Sequence, residues 1–225
     1  MAILAVLTAA ISAASGEFNG DISAVKAKAQ ATAILGYAHE VKLGVERVLG
    51  KGCTDAQISF ENRFSDGMTD GLHRDINSNA PSDKSCHVFD INGGGIVWKE
   101  PPKGANIISG AGAVWWVSDF VPYIIGGYAA IPNLGTSDNE LVLYLPISDE
   151  KLCVQINKLI GVSMYDTQGM YGSDYTVDYF RGIYSPFSYA GYTPGVMSSC
   201  VHYIGPWFPS PLGISYYFYY VLKVN

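Results

Sequence analysis

Charge is thin in this chain: 15% of its 225 residues carry it. The 14 lysines and arginines are scattered, with only Lys26 and Lys28 close together in a helical stretch. With a net charge of −6 and a pI near 5.1, the chain offers no basic cluster of the kind that gives affinity for a phosphate backbone, so a nucleic-acid partner is not expected. Close-spaced cysteine pairs are missing too. Cys53, Cys86, Cys153 and Cys200 lie far apart, which argues against a structural zinc site and, in an exported protein, for two disulfides. Four cysteines allow three connectivities. Cys53 with Cys86 and Cys153 with Cys200 is preferred, because each bridge closes a loop of moderate length within one half of the chain. Four reduced thiols in a cytosolic protein are the alternative. No terminal apolar run reaches the roughly 20 residues needed to cross a bilayer.

Catalytic signatures are equally scarce. The nearest approach to a nucleophile elbow, Gly161-Val162-Ser163-Met164-Tyr165, lacks the second glycine that a tight turn with an exposed hydroxyl demands. There is no phosphate loop, dinucleotide fingerprint or His-Glu-x-x-His. His39, His73, His87 and His202 are dispersed. His39 reads as a surface or packing residue of a helix, and His87, beside Cys86, as strand structure. Asp75-Ile76-Asn77-Ser78-Asn79 reproduces the first oxygen ligands of a calcium loop but then places Ala80 where glycine belongs and Cys86 where a bidentate glutamate belongs. A second acidic stretch holds Asp166, Asp174 and Asp178 without diagnostic spacing. Both read as solvated turns, and the sequence calls for no enzyme, metal or cofactor.

What the chain does have is apolar substance, with 48% hydrophobic residues, enough to bury a core. Residues 1–11 form an uncharged apolar run. From 21 to 49, Ile22, Val25, Ala29, Ile34, Ala38, Val41, Val45 and Val48 recur at largely helical spacing, and Gly50-Lys51-Gly52 supplies a stop. Between them, residues 15–21 contain two glycines, each costing about 1 kcal/mol in a helix, so a kink or melted stretch is expected near 16–20.

Beyond Cys53 the pattern turns to short β-type segments, with strands expected at 85–89, 95–99, 113–117, 140–145 and 215–224. A second helix fits 148–160, with Ser148 as cap, Leu152, Ile156 and Leu159 sharing a face, and Gly161 ending it. Stretches 64–84 and 161–211 read as loops. Twelve of the sixteen tyrosines lie at or after Tyr165, where they either cover a glycine-rich backbone or serve an interface. No internal repeat is visible.

The run Ala2-Ile3-Leu4-Ala5-Val6-Leu7-Thr8-Ala9-Ala10-Ile11 resembles the second half of the type IV pilin amino-terminal segment, in which a short Thr-Leu-Ile-Glu-like stretch comes first. Gln30-Ala31-Thr32-Ala33-Ile34, Gln57 to Asn62, Cys86-His87-Val88-Phe89-Asp90 with Gly93-Gly94-Gly95, and the closing Tyr216 to Leu222 are similar to bacterial pilin-like proteins. This sequence does not contain the prepilin peptidase site or the acidic residue beyond it, so processing is assigned to no residue here.

The resemblance implies an α+β fold in which a long N-terminal helix packs on an antiparallel sheet with long disulfide-tied loops. Residues 1–20 would be the membrane anchor and filament core, and 21–225 the globular domain. Ala2, Ile3, Leu4, Val6, Leu7 and Ile11 would drive assembly of a type IV pilus or pseudopilus filament. The partners would be other copies of the chain, the membrane before assembly, and the assembly machinery. The location would be the bacterial surface, after anchoring in the inner membrane. A different class of reading is a secreted binding module, cleaved near Ala14, whose tyrosine-rich loops hold a carbohydrate or a protein. No Lys or Arg precedes the apolar run, as a signal peptide's charged start requires.

Overall fold

In the computed structural model the described residues are 23–62, 76–99, 101–102, 133–135, 140–145, 147, 149–163, 180, 182, 194–202 and 216–224, with the backbone alone at 2–22, 124–129, 146, 165–168 and 203–204. The architecture is α+β: helices on a sheet, tied by two disulfides.

Helix α1 runs from Ala2–Gly50 without interruption. The melted stretch expected as one alternative at 16–20 is therefore absent. Each glycine costs about 1 kcal/mol of helix propensity, which is too little to break the ladder here. The buried stripe is Ala27, Ala31, Ile34, Ala38, Val41, Val45 and Val48, an unbroken alternation of fours and threes. This corrects the first part of the expected stripe, since Val25 is 62% exposed and Ala29 is exposed. The step of five from Ala29 to Ile34 puts the early residues out of phase with the rest. At the C-terminal end Cys53 N–H donates to Val48 O at 3.2 Å across Gly52, whose φ is +93°. That geometry satisfies carbonyls the helix leaves open.

The sheet order is β1-β2-β5-β4-β3, formed by Ile124–Ala129, Glu140–Ile147, Tyr165–Gln168, Ser198–Ile204 and Tyr216–Lys223 in chain order β1 to β5. The pairs β1–β2, β2–β5 and β5–β4 are antiparallel. The edge pair β3–β4 is parallel, which corrects the expectation of a wholly antiparallel sheet. The cause lies in helix α2, Glu150–Ile160, between β2 and β3: a helical crossover returns the chain to the starting end of the sheet, so the next strand points the same way.

The two central strands read as nearly continuous apolar runs because both of their faces are covered. Leu141, Leu143, Leu145, Ile147, Phe218 and Leu222 join the core beneath α1 and α2, while Val142, Tyr219, Val221 and Val201 form a second cluster on the other face. Each large side chain buried in this way contributes about 1.5–3 kcal/mol.

Helix α2 is capped by Asp149, whose carboxylate accepts from Lys151 N–H at 2.9 Å, and it ends at the left-handed Gly161. The expected cap, Ser148, lies outside the described residues. Its buried face is Leu152, Cys153, Ile156 and Asn157; Leu159, expected there, is 40% exposed. The face follows the i, i+4 rows at 152/156 and 153/157, and position 159 falls beyond its edge.

The expected strands 85–89 and 95–99 are irregular, with one isolated bridge between Ser59 and His87. The stretch 113–117 lies outside the described residues. Three strands arise where loops were expected or no strand was assigned: β1, β3 and β4.

Candidate functional surface and its supporting clamp

Ala2, Ile3, Leu4, Val6, Leu7 and Ile11 all fall on the backbone of α1. Their side chains lie outside the described residues, so the structure neither groups nor separates them. What it describes in detail is the other end of the same helix, where the segment 83–99 is fastened along α1.

That fastening uses cations and glycines. Lys51 Nζ donates to the carbonyls of Asn92 and Gly93, both at 2.7 Å, and Arg47 to the carbonyl of Gly94 at 2.8 Å. Further up the helix, Tyr37 Oη accepts from Lys99 N–H at 3.1 Å, and the Lys99 ammonium lies 5.4 Å from the Tyr37 ring centre and pairs with Glu40. Burial pushes the Tyr37 phenol well above its ordinary range. Close approach is possible only because side chains are missing. A Cβ on Gly44 would stand 2.5 Å from Ile96 Cγ1, and one on Gly93 would stand 1.9 Å from the carbonyl oxygen of His87. Gly93 and Gly94 here pack backbone on backbone, the first against His87 and the second against Val88 and Gly44.

The disulfide Cys53–Cys86 joins the helix end to this segment, with Cα atoms 5.8 Å apart. Beside it, Ser59 N–H donates to Cys86 O and Val88 N–H to Ser59 O. His87 is buried, with Nε2 3.1 Å from Glu61 Oε2, and Lys84 lies 3.6 Å from the other Glu61 oxygen. His87 Nδ1 is buried and has no hydrogen-bond partner among the described residues. This trio ties residues 59–61 to 84–88. Asp83, exposed, is held below the ordinary carboxylate range by hydrogen bonds from the side chain and backbone of Ser85.

The second disulfide, Cys153–Cys200, fastens α2 to β4, with Cα atoms 5.3 Å apart. Both pairings are those preferred from loop length. They span 33 and 47 residues, and in the chain-entropy model each constrains the unfolded chain by about 4 kcal/mol. Two disulfides indicate an oxidising compartment, extracellular or periplasmic. Among the described residues no helix is long and apolar enough to cross a membrane.

Next to the second bridge sits a polar residue that sequence reasoning passed over. Asn157 Nδ2 donates to Cys200 O at 2.6 Å, and its Oδ1 accepts from Cys200 N–H at 2.7 Å. The signal was present, because an asparagine occupies an apolar position of the α2 face. Asn77 does similar work, donating to the carbonyls of Ala56 and Ile58 at 2.7 and 2.8 Å. Its side-chain oxygen, the atom a calcium ion would take, accepts from Asn79 N–H at 2.9 Å, so the whole amide serves the local fold. Asp75, Asp174 and Asp178 lie outside the described residues, as does the side chain of Asp166. No group of three potential metal ligands occurs among the described residues.

The closing tyrosines also have internal tasks. Tyr219 is buried and donates to Val196 O at 3.2 Å, Tyr220 Oη lies 3.3 Å from His39 Nδ1, and Tyr216 stacks on His202 at 4.8 Å between ring centres. At these positions tyrosine covers the sheet. His39, expected as a surface or packing residue of the helix, is exposed and lies within hydrogen-bond distance of Tyr220 on β5. No family model, curated protein or solved structure matches the chain.

Proposed function

We propose that this chain is the structural subunit of a type IV pilin-like or pseudopilus filament that polymerises through its apolar N-terminal helix. The observation that carries the reading is a mismatch of lengths. At 1.5 Å per residue the 49 residues of α1 extend about 73 Å, whereas an eight-residue strand of the sheet spans about 26 Å. The stripe buried beneath α1 begins only at Ala27, after the exposed residues 23–26. A globular domain has no need of a helix this long.

In this reading Ala2, Ile3, Leu4, Val6, Leu7 and Ile11 lie in the inner membrane before assembly and in a bundle of like helices afterwards. Lipid contact is exchanged for helix packing, and each large apolar side chain kept from water is worth about 1.5–3 kcal/mol. The disulfide-tied domain faces outward on the bacterial surface. The partners are other copies of the chain and the assembly machinery.

Replacing Leu4 and Leu7 by Asp tests this directly. Filaments should disappear while the thermal transition of the globular domain stays unchanged; filaments at normal abundance would reject the proposal. Mass spectrometry of the mature amino terminus from the native source separates the rival class, since a start near Ala14 would favour the secreted binding module.

A further inference from the structure

Asn92, exposed, precedes the buried Gly93 in a turn. In a free peptide this pair is chemically labile. The glycine amide nitrogen attacks Cγ of the asparagine, a five-membered imide forms, and the bond from Cγ to the side-chain nitrogen breaks. Ammonia leaves, taking up the proton that the glycine amide releases. Water then opens either carbonyl–nitrogen bond of the imide and leaves aspartate or isoaspartate. No oxidant, metal or cofactor enters, so the rate is governed by the freedom of the glycine nitrogen to fold back.

Here that freedom is removed at each adjoining atom. Gly93 N–H donates to Asp90 O at 3.0 Å, and Asn92 N–H to Asp90 Oδ1 at 2.9 Å. The carbonyls of both residues are pinned by Lys51, and Gly94 N–H holds His87 O at 2.8 Å. Gly93 is buried against the His87 backbone, with no space even for a methyl group. Yet the Asn92 side chain itself is exposed. Cys53 lies two residues beyond Lys51, and Cys86 immediately precedes His87, so one disulfide ties together both sides of the clamp.

We propose that Asn92 is a latent deamidation site which the fold holds closed and which loss of the Cys53–Cys86 bond releases, so that its conversion permanently marks a molecule whose clamp has opened. The second Asn-Gly pair, Asn19-Gly20, lies on the backbone of α1, remote in sequence from this bridge.

The test follows residue 92 by peptide mapping and mass spectrometry in the full chain, oxidised and after reduction and alkylation, with a synthetic peptide of residues 90–97 as reference. The oxidised chain should convert at least about tenfold more slowly than the peptide, because only the opened population reacts. The reduced chain should approach the peptide rate, and Lys51→Met with both disulfides intact should convert faster than the wild-type chain. Conversion of the oxidised chain at the peptide rate would overturn the proposal, as would a reduced chain that stays as slow as the oxidised one. An unchanged rate in Lys51→Met would overturn the clamp.

Discussion

In the stretch 83–99 the backbone hydrogen bonds end on side chains and on neighbouring turns, whereas in the half closed by Cys153 and Cys200 they run along strand ladders and a helix. The ladders share their load over many residues, so loss of one side chain leaves most bonds intact. The clamp concentrates its load on Arg47, Lys51, Tyr37 and three glycines, each with its own geometric task. A fastening of this kind should therefore fail at single residues, while the sheet should fail as a unit.

The sharpest break in that comparison is Gly93→Ala. Its new Cβ meets backbone that cannot swing aside, and the expected loss is about 4 kcal/mol or more, at the upper end for a point mutation. Gly161→Ala, with open space around it but a left-handed backbone, should lose only about 1–2 kcal/mol. Denaturant unfolding of the two variants gives both values, and equal losses would remove the distinction.

Next come the bridges. Replacing Cys53 and Cys86 by Ser, or Cys153 and Cys200 by Ser, should cost about 4 kcal/mol in either case, since the loops differ little in length. Hydrogen exchange separates the two variants. The first should lose protection mainly at 84–96, the second throughout α2 and β4. Uniform loss in both would mean that the halves unfold together.

Single polar residues sharpen the contrast further. Asn157→Ala strands a buried N–H and carbonyl of Cys200 and should cost about 2–3 kcal/mol, whereas Lys51→Met, at an exposed site that water can reach, should cost about 1 kcal/mol.

The smallest effect is alkaline. The Tyr37 phenol titrates higher when folded than its usual value near 10. The folded state therefore holds this proton more tightly, and the associated stability is complete below that value and declines as pH rises above it. Tyr37→Phe should flatten the alkaline limb of a stability–pH curve; an unchanged limb would show that other groups set it.

Much of the sheet half was legible from pattern. The strands expected at 140–145 and 215–224 fall on β2 and β5 to within two residues, and the glycine after Ile160 marks the end of α2. Strand β4 was hidden because Ser198 and Ser199, both buried, interrupt its apolar alternation. β3, with the sequence Tyr-Asp-Thr-Gln, and β1, with two adjacent glycines, show no apolar alternation either. The clamp misled in the opposite direction. Cys86-His87-Val88-Phe89 looks like a strand, but its one β-bridge is to Ser59 and its other backbone bonds go to nearby turns at Lys84, Gly94 and Ile96, and pairing with a distant partner is not written in local sequence. The glycine triplet was visible as composition, whereas the backbone collisions that demand Gly93 and Gly94 depend on where His87 and Val88 come to rest. For the proposed assembly surface the sequence offers an apolar list, Ala2 to Ile11, on a helical backbone.

The two bridges follow one another along the chain and neither encloses the other. A polypeptide delivered amino end first into an oxidising space presents Cys53, then Cys86, before either later thiol emerges. An oxidant that simply joins cysteines in order of arrival makes the native bonds at the first attempt. Secretion of this chain should accordingly be insensitive to loss of a disulfide isomerase while remaining dependent on the oxidase.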